Sequence, residues 1–157
     1  MSQFMNRFQY CVMTRANRAA AWSLLLDWQK WRAYTDILGE MKWTKGEPWK
    51  VGSQLDIEVL RPIEATVQHS ITLFQAQREI AWVDRALGIT ISQWVNFEDR
   101  AQGGTQIYTE GDISPTGAVI KGTSVDRLVR AFTETWFENF RTACDKLEET
   151  NSCETSA

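Results

Sequence analysis

The sequence is short of the residues from which reactive sites are most often built. It holds one histidine, His69, in 157 residues, so a centre made of several histidines is excluded. Three cysteines, Cys11, Cys144 and Cys153, are scattered without the close spacing of a zinc site or a disulfide framework. They read as free thiols of a reducing, cytoplasmic setting. There is no basic excess: 17 Lys and Arg against 20 Asp and Glu give a net charge of −3, which argues against nucleic acid as a partner. No run approaches the ~20 apolar residues of an integral membrane segment, and the N-terminal stretch reads as lacking a signal-peptide core. The glycine-containing turns have no phosphate-cradling pattern, and no metal or cofactor is implied. What the chain has in quantity is tryptophan, eight residues, with seven phenylalanines and three tyrosines. At 43% hydrophobic and 24% charged, it reads as one globular domain over residues 1–150, with a polar, flexible tail at 151–157.

The longest patterned stretch is Ser124 to Glu149. Val125, Leu128, Val129, Phe132, Trp136, Phe140, Ala143 and Leu147 recur at steps of three and four, which predicts one long amphipathic helix with Ser124 as its N-cap. Upstream the period is two. Phe4, Phe8, Tyr10 and Val12 alternate with polar neighbours as a first strand. Asn17 caps a helix to about Leu26, with Ala19, Trp22, Ser23 and Leu26 on one face, and Asp27 opens a second short helix through Trp31 to about Tyr34. Five further alternating stretches fall between Asp36 and Phe97, and a last strand runs from Thr105 to Ile113. A helical turn is expected around Val119, restarting at Gly122. The order is strand, two short helices, six strands, long helix, an α+β arrangement with an antiparallel sheet.

Trp22 followed by Asp27 and Trp31, Gly46 with Val51-Gly52, Trp82, Gly104-Thr105 and the long terminal helix, taken in this order, resemble the START-like (SRPBCC, helix-grip) superfamily over about residues 3 to 149. Within it the chain looks most like bacterial polyketide cyclase/dehydrase-type proteins. The resemblance implies a seven-stranded antiparallel sheet curved round the long helix. It also implies an apolar cavity between them for lipids, polyketides or aromatic molecules. The glycine-rich loop of the plant pathogenesis-related branch is absent, which argues against a plant-type hormone binder.

A buried polar group needs a partner, so polar residues on the inward rows are informative. These are His69, Asp84, Gln93 and Thr109. A turn centred between Ala76 and Gln77 sets His69 opposite Asp84, and a five-residue loop centred on Ala101 sets Gln93 opposite Thr109. A histidine oriented by a carboxylate suits general acid/base work, with Tyr108 or Thr109 nearby; the same pair also serves as a satisfied polar contact in a core. Candidate ligand-lining residues are Trp43, Ile57, His69, Trp82, Gln93, Val95, Phe97, Ile107, Thr109, Phe132, Trp136 and Phe140, and candidate catalytic residues are His69 and Asp84. Arg61 and Arg85, at strand ends, either meet a ligand carboxylate or are solvated turn residues. Cys144 reads as packing. Three functions fit: a carrier of a hydrophobic small molecule, acting as monomer or homodimer; a cyclase or dehydrase using His69 and Asp84; and a protein-docking module.

Overall fold

The structure, a computed structural model, describes the backbone of residues 6–156 and the side chains of residues 6–147. Phe4, Met5 and Cys153, and the expected tail at 151–157, lie outside the described side chains.

Seven strands form one antiparallel sheet: β1 (Arg7–Thr14), β2 (Leu38–Lys45), β3 (Gln54–Val59), β4 (Ala65–Gln75), β5 (Glu79–Ala86), β6 (Ile89–Asp99) and β7 (Thr105–Ser114). Their spatial order is β1-β7-β6-β5-β4-β3-β2, so β1 and β2, neighbours in sequence, lie at opposite edges. The chain crosses between those edges through α1 (Arg18–Leu26), a 3-10 turn (Trp28–Lys30) and α2 (Trp31–Tyr34). The Asn17 side chain accepts the Ala20 N–H at 2.8 Å and caps α1. The long helix α3 (Val125–Ser156) is capped by the Ser124 hydroxyl, which accepts from the Arg127 N–H at 3.1 Å.

The face expected on α1 is corrected: Ala19 and Ser23 are exposed, and the buried face is Ala21, Trp22, Leu24 and Leu25. Docking into the angle between sheet and α3 buries a wider arc than one stripe. The helical turn at Val119 is also corrected. Residues there form a small hairpin, β8 (Val119–Ile120) with β9 (Thr123–Ser124). Lys121 and Gly122 both take positive φ, 50° and 81°, the geometry of a tight two-residue hairpin turn.

Core side chains form two groups. The larger gathers α1, α2, the inner rows of β3 to β7 and the middle of α3, including Trp22, Leu55, Ile71, Val95, Phe97, Phe137 and Phe140. The smaller, Phe8, Ile89, Ile113 and Val125, lies under the start of α3. On α3's other flank, the Asp145 carboxylate accepts from the Thr14 hydroxyl at 2.6 Å, the Arg15 backbone N–H at 3.0 Å and Arg141 at 3.1 Å. Burial alone would raise the Asp145 pKa, but these donors outweigh it and hold the group below its ordinary 3.8. Glu138 is lowered in the same way, chiefly by the Tyr10 hydroxyl at 2.5 Å and then by Arg141. That bond and burial push Tyr10 up to about 12.

A depressed carboxylate binds its proton less readily folded than unfolded. Its stabilisation is therefore present above the unfolded value and is lost as pH falls through the folded one. Asp145→Asn is expected to cost about 1.5 kcal/mol or more near neutral pH, the worth of a charge-assisted hydrogen bond. The difference from wild type should shrink below the ordinary carboxylate range; urea midpoints at neutral and acid pH measure it.

Gly104 closes the β6–β7 loop at φ +84°, and a Cβ there would stand 2.2 Å from the Thr14 carbonyl oxygen. Gly104→Ala is expected to destabilise by at least about 1–3 kcal/mol, since neither the backbone conformation nor the contact relaxes cheaply. A lowered thermal midpoint, set against a neighbouring surface substitution, checks it.

Candidate functional site

Between the two core groups the packing opens into a cavity of about 160 Å³. Its floor is the inner face of β3 to β6, with Ile57, Val59, Ala65, Val67, Trp82, Ala86, Ile89 and Ile91. Its roof is the first half of α3: Val125, Leu128, Val129, Phe132, Thr133, Trp136 and Phe137. Leu25, Trp31 and Leu38 add to its walls. Pro62 and Ile63 of the β3–β4 loop, Leu87 of the β5–β6 turn and Ile120 of the β8–β9 hairpin line it as well. Pro62 and Leu87 are exposed and mark where the cavity opens.

Strand alternation places Ala65, Val67 and His69 of β4 on the cavity face, and Trp82, Asp84 and Ala86 of β5 beside them. His69 and Asp84 are direct cross-strand partners. Their contact is 2.5 Å from Nδ1 to Oδ1. His69 is 4% exposed, and its ring lies against Trp82 with centroids 4.8 Å apart. A carboxylate only accepts, so the proton of the neutral ring is assigned to Nδ1. That leaves Nε2 with a lone pair. Nε2 is buried and has no partner.

The other polar groups on the floor are spent on one another. The Trp82 indole N–H donates to the Gln93 carbonyl at 3.2 Å, the Gln93 amide donates to the Thr109 hydroxyl at 2.8 Å, and that hydroxyl donates to the Trp94 carbonyl at 2.9 Å. The indole of Trp31 is likewise used, on the Leu25 carbonyl at 2.9 Å. Among the described residues no group of three or more His, Cys, Asp or Glu gathers to hold a metal ion.

Of the residues expected to line a pocket, Ile57, His69, Trp82, Gln93, Phe132 and Trp136 meet at this cavity, together with Asp84. Val95, Phe97, Ile107, Thr109 and Phe140 do not; all are buried in the closed half of the grip. Trp22 fills that half, edge-on to Phe97 at 5.1 Å and Phe74 at 5.5 Å. Trp43 stands apart, packed against Trp28 and Trp49. Tyr108 is on the outer face of β7, bonded to Gln9 at 2.9 Å, away from His69. Arg61 is tied to Asp36 by its carbonyl at 2.7 Å and its carboxylate at 2.9 Å, and Arg85 points outward from β5; neither lines the cavity. Cys144 is fully buried, and burial pushes its thiol up to about 12, which suits packing rather than nucleophilic attack.

Sequence reasoning missed the rim of Pro62, Ile63, Leu87 and Ile120, and the small floor residues Ala65 and Ala86. The signal for the rim was apolar residues in turns, where polar ones are usual.

No protein-family model matches the sequence, and no curated protein matches it. Solved structures do. A START superfamily protein from Mycobacterium smegmatis aligns over 90% of this chain and 99% of its own, at TM-score 0.74 and 12% identity. The fold is the START-like helix grip. Ara h 8.0201 aligns over 88% of this chain and 96% of its own (TM-score 0.71, 11% identity), and protein CV1439 from Chromobacterium violaceum over 89% and 98% (TM-score 0.67, 8% identity). The helix grip is thus covered nearly end to end at identities where only fold is shared. No helix among the described residues is long and apolar enough to cross a membrane.

Proposed function

We propose that the protein binds a compact hydrophobic molecule, an aromatic compound or a small lipid- or polyketide-derived one, in the cavity between sheet and α3. The observation that carries this reading is a cavity lined almost wholly by carbon, with the exposed Pro62 and Leu87 among its lining residues. Its volume sets the size class. A carbon-lined cavity of ~150 Å³ takes up benzene, whereas drug-sized ligands occupy roughly 300–1,000 Å³. The protein should therefore bind small hydrocarbons with a negative heat-capacity change, the robust mark of apolar burial. Calorimetric titrations at several temperatures test this, and absence of any saturable heat or displacement would overturn it.

A second reading, an enzyme of the cyclase or dehydrase type, is favoured by the 2.5 Å His69–Asp84 contact at the cavity wall. A histidine held by a carboxylate with its second nitrogen unpartnered is arranged to take or give a proton. The two readings part on His69→Ala: a carrier retains its hydrocarbon affinity and has no turnover to lose, while an enzyme retains binding and loses turnover.

A further inference from the structure

We infer that the molecule held in this cavity carries a hydroxyl group, and that its O–H donates to the buried Nε2 of His69. The inference rests on the cavity being a binding site and names the chemistry of what it binds. The described residues include five side-chain polar atoms that are buried without a partner, and of these only His69 Nε2 belongs to a residue lining the cavity. Asp84 occupies Nδ1 at 2.5 Å, so in the neutral ring Nε2 is the acceptor. A buried acceptor without a donor is costly, and the neighbouring polar groups do not relieve it: Gln93 is engaged through both ends of its amide, and the indoles of Trp31 and Trp82 point their N–H groups at other acceptors. A lone water needs two or more polar partners, and beside His69 and the engaged Gln93 the lining offers only the Asp84 carboxylate and the Thr133 hydroxyl.

The donor must come on an apolar body. An ammonium group would have to shed its hydration against a wall that is carbon apart from the Asp84 carboxylate, Gln93 and Thr133, and a primary amide would bring a carbonyl with no donor to meet it. A carboxylate would face Asp84. A hydroxyl supplies the one donor required and little else, so the ligand class is a compact phenol or alicyclic alcohol of about one ring, the size that a ~150 Å³ cavity takes up.

The test is a pair of molecules of one shape, p-cresol and p-xylene, titrated by calorimetry into the native protein. A preference of about tenfold or more for p-cresol is expected, the usual penalty for leaving a buried polar group unpaired. His69→Leu should erase that preference and leave p-xylene affinity unchanged or higher. Should that variant fail to fold, the native protein decides through nuclear magnetic resonance, because a single histidine gives one pair of imidazole nitrogen signals. p-Cresol should move the Nε2 signal and p-xylene should not. Equal affinities, or an Nε2 signal that p-cresol leaves in place, overturn the hydroxyl inference while leaving the cavity as a binding site. Failure of both compounds to bind overturns the binding reading and the inference with it.

Discussion

Phe140→Ala is expected to cost about 3–5 kcal/mol of stability, the range for deleting a buried aromatic ring. Phe140 is fully buried at the middle of α3, where the helix passes over the closed half of the sheet. Its ring stacks on Trp136 with centroids 6.2 Å apart and lies 6.3 Å from Tyr34. These three rings join α2 to α3, and Trp136 continues to Trp31 at 5.0 Å. Truncation would leave a void walled by large, inflexible groups, so little collapse is available to offset the loss. Total stability of a domain this size is about 5–15 kcal/mol. The variant should therefore unfold at a much lower urea concentration with an unchanged slope, or be unfolded outright. A shift under about 1 kcal/mol would mean that the closed half is looser than its packing indicates.

Ala65→Phe is expected to abolish uptake of hydrophobic ligands while leaving the protein folded. Ala65 lies on the same face of β4 as Val67 and His69, so a phenyl group there projects into the cavity instead of into packed core. An aromatic residue suits a strand, and the cavity supplies room that a close-packed interior would deny. The ring would occupy the space a one-ring ligand needs, and affinity should fall by about a hundredfold or more, the ~3 kcal/mol typical of burying such a ring. The thermal midpoint should stay level or rise. Loss of binding together with loss of fold would instead place Ala65 in the packed core.

Strand parity was readable from the alternation of residues; exact register was not. His69 does face Asp84, yet by compensation: the β4–β5 turn is centred on Gln77, with Gln75 opposite Glu79, and an extra residue near Thr72 restores the offset lower down. That bulge puts Phe74, and not Leu73, against the main core. Between β6 and β7 the expected pairing is off by two. Gln93 lies opposite Gly111, and Val95 opposite Thr109. A two-residue shift keeps every side chain on its face, so Gln93 still reaches Thr109 on the diagonal. The β8–β9 hairpin was harder to read, because its turn residues, Lys121-Gly122, are a weak signal beside a strong helical pattern.

The site was legible in its polar centre and only partly in its walls. Alternation, one hairpin and the bulge near Thr72 bring His69, Asp84 and Trp82 together. Which half of the grip stays open depends on where α1 docks, and a long-range contact of that kind leaves no periodic trace. Trp22 was readable on one face of α1, but nothing in its neighbourhood says that it fills the Phe97 half and leaves the Trp82 half hollow. Val95, Phe97, Ile107, Thr109 and Phe140 share the periodicity of the true lining and differ from it only in what covers them.

The most direct test of the cavity as a binding site is native mass spectrometry of the freshly purified protein beside Ala65→Phe. Wild type should carry a small molecule at near one-to-one occupancy, or take one up from cell extract, and the variant should remain at its bare mass. The compound released on denaturation would identify the ligand's chemistry, hydroxyl included. A wild-type mass that stays bare after exposure to extract, or an adduct that Ala65→Phe carries equally well, would contradict a ligand held between the sheet and α3.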